Sequence, residues 1–401
     1  MKNQDHDKPQ RFLNLVSRSK LLKNLTVLIL YFLVFVCGII IGTTYSTNID
    51  IGNLFVTFKV INTTNSSYPP PLILSTTSSS PLPPPLWEPS SAPTFLHNME
   101  DEQLLQRANS IAHKDKMNNN KTIDKILVSK PKIAFMFLVR GALPLGPLWD
   151  KFFRGYEGLY TIYVHASPLY NQTYPKHSVF HGRRIPSKEV QWGKFNMVEA
   201  ERRLLANAVL DPLNQRFVLL SESCIPLFNF TTVYEYLINS SKSYVEVYDN
   251  KGPTGRGRYS SRMSPIVRID QWRKGSQWFE MNRDLAIQVI QDKKYFPIFA
   301  KFCKHSCYGD EHYLPTYINI KFGTKNTNRT VTWVDWSVLG PHPGKYERPR
   351  VTPELLEKLR SEKTCLYNGK RTNICFLFAR KFMPSSLNRL LMFSPKILKF
   401  G

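Results

Sequence analysis

Acidic residues are scarce in this chain of 401 residues: 30 Asp and Glu stand against 54 Lys and Arg, a formal charge of +24. Nucleic acid, anionic lipid, acidic polysaccharide and a phosphate-bearing donor all suit such a surface, and so does plain solubility. Charge by itself therefore selects no partner. Several catalytic signatures are missing. There is no P-loop, no G-x-G-x-x-G and no H-E-x-x-H, which argues against kinases, dehydrogenases and zinc proteases. Cysteine is sparse, six in all. Cys303 and Cys307 are four apart with His305 between them, yet no second ligand pair accompanies them, so disulfides are a better expectation than zinc. The Asp-x-Asp triplet with which many sugar-nucleotide enzymes hold a metal occurs once, at Asp5-His6-Asp7.

What is present starts with a charge-free run, LTVLILYFLVFVCGIIIG, from Leu25 to Gly42. About 20 apolar residues cross a bilayer, and about 18 already make a candidate. Lys2, Lys8, Arg11, Arg18, Lys20 and Lys23 precede it, and the next basic residue is Lys59. The basic side is thus expected to stay cytosolic, with the rest of the chain lumenal. A cleaved signal peptide has a shorter apolar region of about 7–15 residues, so an uncleaved single-pass anchor is expected over 24–43 after a cytosolic tail, 1–23. That topology puts Asp5-His6-Asp7 on the wrong side of the membrane for a lumenal metal site. It also separates the basic domain from nucleic acid, for which no recognition motif is present. N-glycosylation sequons at Asn62, Asn65, Asn120, Asn171, Asn229, Asn239 and Asn328 fit a lumenal position. With Cys37 inside the apolar run, five cysteines remain, so at least one has no partner within the chain.

The stretch SYPPPLILSTTSSSPLPPPLWEPSSAP holds nine prolines among serines and threonines. It reads as an extended, disordered stem rather than a fold. Residues 99–130 read as a short helix and a connector, so stem and connector together span 44–130. Hydrophobic residues at 42% and aromatics at 13% are enough for a real core in the remainder, 131–401. There strand and helix signals alternate, predicting an α/β domain with a mostly parallel sheet. KIAFMFLVRG, LYTIYVHASP and FVLLSES are expected strands, SYVEVYD a fourth, and TVTWVDWS a late one. LGPLWDKFFRGY, FNMVEAERRLLANAVLD, 283–292 and 310–320 are expected helices. Ligands of such sheets gather beyond the C-terminal strand ends, which makes Val139, Arg140, His165, Ser167 and the segment Ser221–Cys224 candidates for the rim.

The sharpest local feature is Gly309-Asp310-Glu311-His312-Tyr313-Leu314-Pro315. Two adjacent carboxylates at a helix start are commonly just a favourable charge on the first turn. The segments KIAFMFLVRG, LYTIYVHASP, QWGKFNMVEAERRLLANAV, FVLLSESCIPL, GSQWFEMNRDLA, GDEHYLPT, TWVDWS and CFLFARKF, taken in this order over residues 131–382, change the weighting. Together they resemble the core-2/I-branching β-1,6-N-acetylglucosaminyltransferase family, in its plant-type branch.

That resemblance implies a GT-A-like, Rossmann-type mixed sheet flanked by helices in a Golgi-resident glycosyltransferase. It implies inverting transfer from a UDP-sugar to a hydroxyl of a glycan or glycoprotein acceptor, with no metal and no other cofactor. Glu311 becomes the general base, and Lys381 matches a cation on the donor diphosphate. Arg360 matches a second such cation only if gaps are allowed, and Arg380 is the alternative neighbour. Val139 and His165 fall on the donor side. Glu222, Trp192 and Trp278 become candidate acceptor contacts, although burial is the commoner fate of a Trp. The basic run Arg256–Arg273 lies where acceptor contacts are expected, or is a solvated loop. Ser167 and Cys224 depart from acidic family positions, which leaves N-acetylglucosamine, xylose and glucuronic acid all open as the donor sugar. A catalytically silent glycan-binding protein on the same fold is the rival reading, and its mark would be loss of the base or of the diphosphate cations.

Overall fold

The computed structural model describes residues 27–37, 95–117, 130–338 and 340–401. The chain divides into two units, Met1–Pro84 and Pro85–Gly401. In the first, residues 27–37 are helical. No helix among the described residues is long and apolar enough to cross a membrane. The rest of the expected anchor, the tail and the proline-rich stem lie outside the described residues.

The second unit begins with helix α1 (Asp101–Met117), then strand β1 (Lys132–Leu138), α2 (Gly146–Phe153), β2 (Tyr160–His165), α3 (Asn196–Val209), β3 (Asn214–Leu220) and the short β4 (Ile225–Pro226). It continues through α4 (Phe230–Ile238), β5 (Glu280–Asn282), α5 (Arg283–Gln291), α6 (Phe296–Phe302), α7 (Gly309–Lys321) and β6 (Thr332–Val334). It ends with α8 (Pro353–Ser361), the hairpin β7 (Cys365–Tyr367) and β8 (Lys370–Thr372), β9 (Phe378–Arg380) and α9 (Leu387–Phe393).

The main sheet runs β2-β1-β3-β5, with β1 parallel to β2 and β3, and β5 antiparallel at one edge. Its central strands are apolar at nearly every position because both faces are covered. Side chains alternate across a strand, and two cores result. Ala134, Met136, Phe217 and Leu219 face the helices α1, α3, α5 and α7. Phe135, Phe137, Val218 and Leu220 face α2, α4 and α9, where Trp149, Phe152 and Phe153 pack edge to face around Phe135 and Phe230 lies tilted against it.

Two readings need correcting. SYVEVYD forms no strand, only isolated bridges such as Tyr244 with Glu280 and Tyr248 with Lys274. On the opposite edge no strand among the described residues pairs with it, because the Asn326 side chain takes both backbone groups of Val245, accepting from its N–H at 3.0 Å and donating to its C=O at 2.7 Å. The helix placed in the connector, α1, belongs to the folded unit. Leu104, Ala108 and Ala112 are buried in its core, and Asp101 accepts from Arg203 at 2.7 and 2.6 Å.

A second sheet, β4-β9-β6, was not expected. β9 lies between an antiparallel β4 and a parallel β6, and Phe378 on it packs against Trp149. Two disulfides, Cys303–Cys307 and Cys365–Cys375, leave Cys224 as a free, buried thiol.

Candidate active site

The strand ends do form the rim. Val139 and Arg140 after β1, His165 and Ser167 at the end of β2, and Ser221 and Glu222 after β3 line a cleft of about 960 Å³. Glu246, Arg258, Lys274, Asp310 and Glu311 line the same cleft. So do Arg380 and Lys381. Glu311 and Lys381 therefore share one cleft, although 70 residues separate them.

Local chemistry explains how Glu311 gets there. The Cys303–Cys307 bridge closes a tight turn, Tyr308 takes a left-handed conformation with φ of 52°, and α7 starts at once. Gly309 is required by close packing, because a Cβ there would lie 2.5 Å from the Phe195 ring. Asp310 and Glu311 then occupy the first turn, where the helix dipole favours negative charge. Glu311 Oε2 accepts from Arg258 Nη1 at 2.9 Å and from the Lys274 ammonium. Asp310 is buried, its Oδ1 has no partner among the described residues, and burial, then the neighbouring Glu311, pushes its pKa up to about 7. Behind it Glu201 is fully enclosed and accepts from Gln277 at 3.0 Å; burial and then Asp310 hold that carboxyl well above the usual range. Glu246 is raised as well, by burial foremost, with the Ser276 N–H and Lys274 opposing.

Lys381 is placed by β9. Its C=O accepts from the Tyr346 N–H at 2.8 Å, and the next N–H, of Phe382, donates to the Ser223 C=O at 2.9 Å. Burial, and then the adjacent Arg380, lower the Lys381 pKa; Arg140 and Lys345 add to the effect and Glu222 opposes it. The Arg380 guanidinium lies 4.0 Å over the Trp278 ring, and its buried Nε has no partner among the described residues. Cations that raise one another's energy in this way are favourably placed for an anion of higher charge.

His165 lines the cleft as a neutral ring. Burial, and then Arg203, push its pKa down to about 3, while Nε2 lies 3.0 Å from Arg203 Nη1 and accepts from the Lys188 N–H at 3.3 Å. Among the described residues no three His, Cys, Asp or Glu side chains are placed to hold a metal ion.

Of the residues singled out from sequence, Glu311, Lys381, Arg380, Val139, His165, Glu222, Trp192 and Trp278 all line this cleft. Arg360 does not. Its Nη1 donates to the Leu227 C=O at 2.7 Å and its guanidinium lies 4.2 Å over the Phe228 ring, so α8 uses it as a brace behind the cleft. Trp278 is buried and has Arg380 against one face, which leaves little of the ring for a sugar. Trp192 is 51% exposed, beside Tyr308 and His342. Three further residues were not picked out individually: Arg258 and Lys274, which grip Glu311, and Trp336, which is 57% exposed on the cleft wall. Arg258 lies within the basic run Arg256–Arg273, and Lys274 follows it directly. Trp336 sits in TWVDWS, on a turn that Asp335 ties down by accepting from Ser337 and Tyr346.

The model of a family described as Core-2/I-Branching enzyme matches residues 133–360, from β1 through α8. A protein of rice (Oryza sativa subsp. japonica) named Glycosyltransferase BC10 is 36% identical over 307 residues, 65% of this chain and 76% of that protein.

Proposed function

The chain belongs to the core-2/I-branching enzyme family and is a glycosyltransferase; from that premise we propose an inverting, metal-independent transfer within the cleft, on a GT-A-like domain. The donor is a UDP-sugar, and the acceptor is a hydroxyl of a glycan. Glu311 accepts the hydroxyl proton as the acceptor oxygen bonds to the anomeric carbon. The bond from that carbon to the diphosphate breaks on the opposite face, and its electron pair leaves with UDP. Lys381, Arg380 and Arg140 offset the charge that develops on the leaving diphosphate, which matters most where water is excluded. Trp192 and Trp336, both exposed at the mouth, offer apolar faces to acceptor sugar rings.

The observation that carries this reading is that Glu311 and the Arg380–Lys381 pair line one and the same cleft. The matched family supports it, as do cations with few counter-charges beside a carboxylate. Golgi residence as a single-pass type II protein, and N-acetylglucosamine, xylose or glucuronic acid as the transferred sugar, belong to the same proposal.

The test is a screen of UDP-N-acetylglucosamine, UDP-xylose and UDP-glucuronic acid for UDP release by the purified chain, with EDTA and with manganese. Turnover of one donor, undiminished by EDTA, is expected. Turnover that strictly requires the divalent ion would remove the role given to Lys381 and Arg380.

A further inference from the structure

The Glu311 carboxylate sits asymmetrically. Both of its charged donors, Arg258 Nη1 and the Lys274 ammonium, converge on Oε2. Among the described residues no hydrogen bond reaches Oε1. Each donor is itself anchored through its backbone. Lys274 forms a bridge with Tyr248, N–H to C=O in both directions at 2.9 Å. The next residue, Gly275, donates its N–H to the Glu311 C=O at 2.9 Å, and a Cβ there would collide with the Glu246 carbonyl. Lys274 and Glu311 are thus tied together twice, by main chain and by side chain. Arg258 lies 4.2 Å over the Tyr308 ring, and its short turn is held by the Arg256 N–H donating to the Asn250 C=O at 2.7 Å and by Trp272 Nε1 donating to the Gly255 C=O at 3.1 Å.

Resting on the reading of Glu311 as base, we propose that Lys274 is its positioning residue, pinning Oε2 with Arg258 as second support so that Oε1 receives the acceptor's proton. A carboxylate with one oxygen held by two cations no longer rotates, and its free oxygen points along one direction. Such pre-orientation is what an in-line displacement needs, and a misplacement of about 1 Å in such a group lowers a rate by roughly 100-fold.

Lys274 has a second effect on the same atom. Glu311 shares its surroundings with the carboxyl groups Glu246 and Asp310, the neutral His312, Tyr248 and the cation Arg258. The charge of Lys274 bears on Glu246, Asp310 and His312 as well as on Glu311. Without it, Asp310 and Glu246 lose a cation that opposes their raised pKa values, with Arg258 left beside Asp310 and Lys363 beside Glu246, and like charges at close range hold a proton among the carboxyl groups. Loss of Lys274 therefore disorders the base and moves the acid limb of the rate upward in pH.

The experiment compares wild type, Lys274→Met, Lys274→Arg and Glu311→Gln as full chains. Release of UDP from whichever of the three UDP-sugars the wild type consumes is followed across pH. Crystal structures of wild type and Lys274→Met read the direction of the Glu311 carboxylate without any donor. Lys274→Met is expected to lose about 100-fold in kcat, to keep the donor KM within about twofold, and to shift its acid limb to higher pH. Lys274→Arg is expected to recover most of the rate, and the Lys274→Met crystal to show the carboxylate turned. Wild-type kcat and acid limb in Lys274→Met, beside an inactive Glu311→Gln, would overturn the proposal and leave the base in place. An active Glu311→Gln would remove the base reading itself, and the proposal with it.

Discussion

Replacing Lys381 by Met removes one cation from the leaving-group side of the cleft without adding bulk. Two unit charges about 4 Å apart at an effective dielectric of about 20 interact by roughly 4 kcal/mol. The diphosphate gains only part of a charge in the transition state, and Arg380 and Arg140 stay in the cleft. The expected loss is therefore near the lower end of what removal of one such stabilising group produces, about 100-fold in kcat. A second signature comes from titration. Burial, and then Arg380, hold the Lys381 pKa below the usual lysine value. The cationic form is the useful one, so activity falls as pH rises through that lowered pKa. Lys381→Arg keeps its charge at any accessible pH, so it moves the alkaline limb upward. Initial rates of UDP release from neutral to alkaline pH read both effects: kcat at saturating donor gives the loss, and the pH profile of kcat/KM, which reports the free enzyme, gives the alkaline limb. A Lys381→Met enzyme with kcat within twofold of wild type, or an alkaline limb unmoved in Lys381→Arg, would refute the reasoning.

Two further substitutions separate scaffold from site. Arg360→Ala removes a hydrogen bond to a carbonyl and a stacked contact outside the cleft, so UDP affinity by calorimetry stays within about twofold while stability falls by about 1–2 kcal/mol in denaturant unfolding. Arg216 and Glu280 pair through two contacts of 2.6 Å across β3 and β5, both fully enclosed. Arg216→Met leaves a buried carboxylate alone, and the melt should show a loss of about 3–5 kcal/mol, whereas the double replacement by apolar residues should recover much of it.

The central strands and their rim were readable because a strand buried on both faces has to be apolar throughout, and KIAFMFL, YTIYVH and FVLL have no other use. The segment 243–249 reads as a strand as well, yet the Asn326 side chain, some 80 residues away, takes the backbone groups of Val245 that a neighbouring strand would pair with, and no local pattern reports that. Glu311 stood out through its motif, and Lys381 through the order of the family segments. Arg360 was chosen by an alignment that needed gaps, and the fold instead gives that guanidinium a carbonyl and a phenyl ring. Arg258 was visible only as part of a basic run, and Lys274 only as the residue that follows it. Their roles come from convergence on one oxygen, which depends on the Tyr248 bridge and on two glycines that admit close backbone packing.

The most direct test of the account is transfer by Glu311→Gln in buffer containing EDTA, with UDP binding measured on the same preparation. The account predicts UDP affinity within about twofold of wild type and a turnover reduced by about 100- to 10,000-fold, the range for losing a general base. Turnover by Glu311→Gln at the wild-type rate would contradict it.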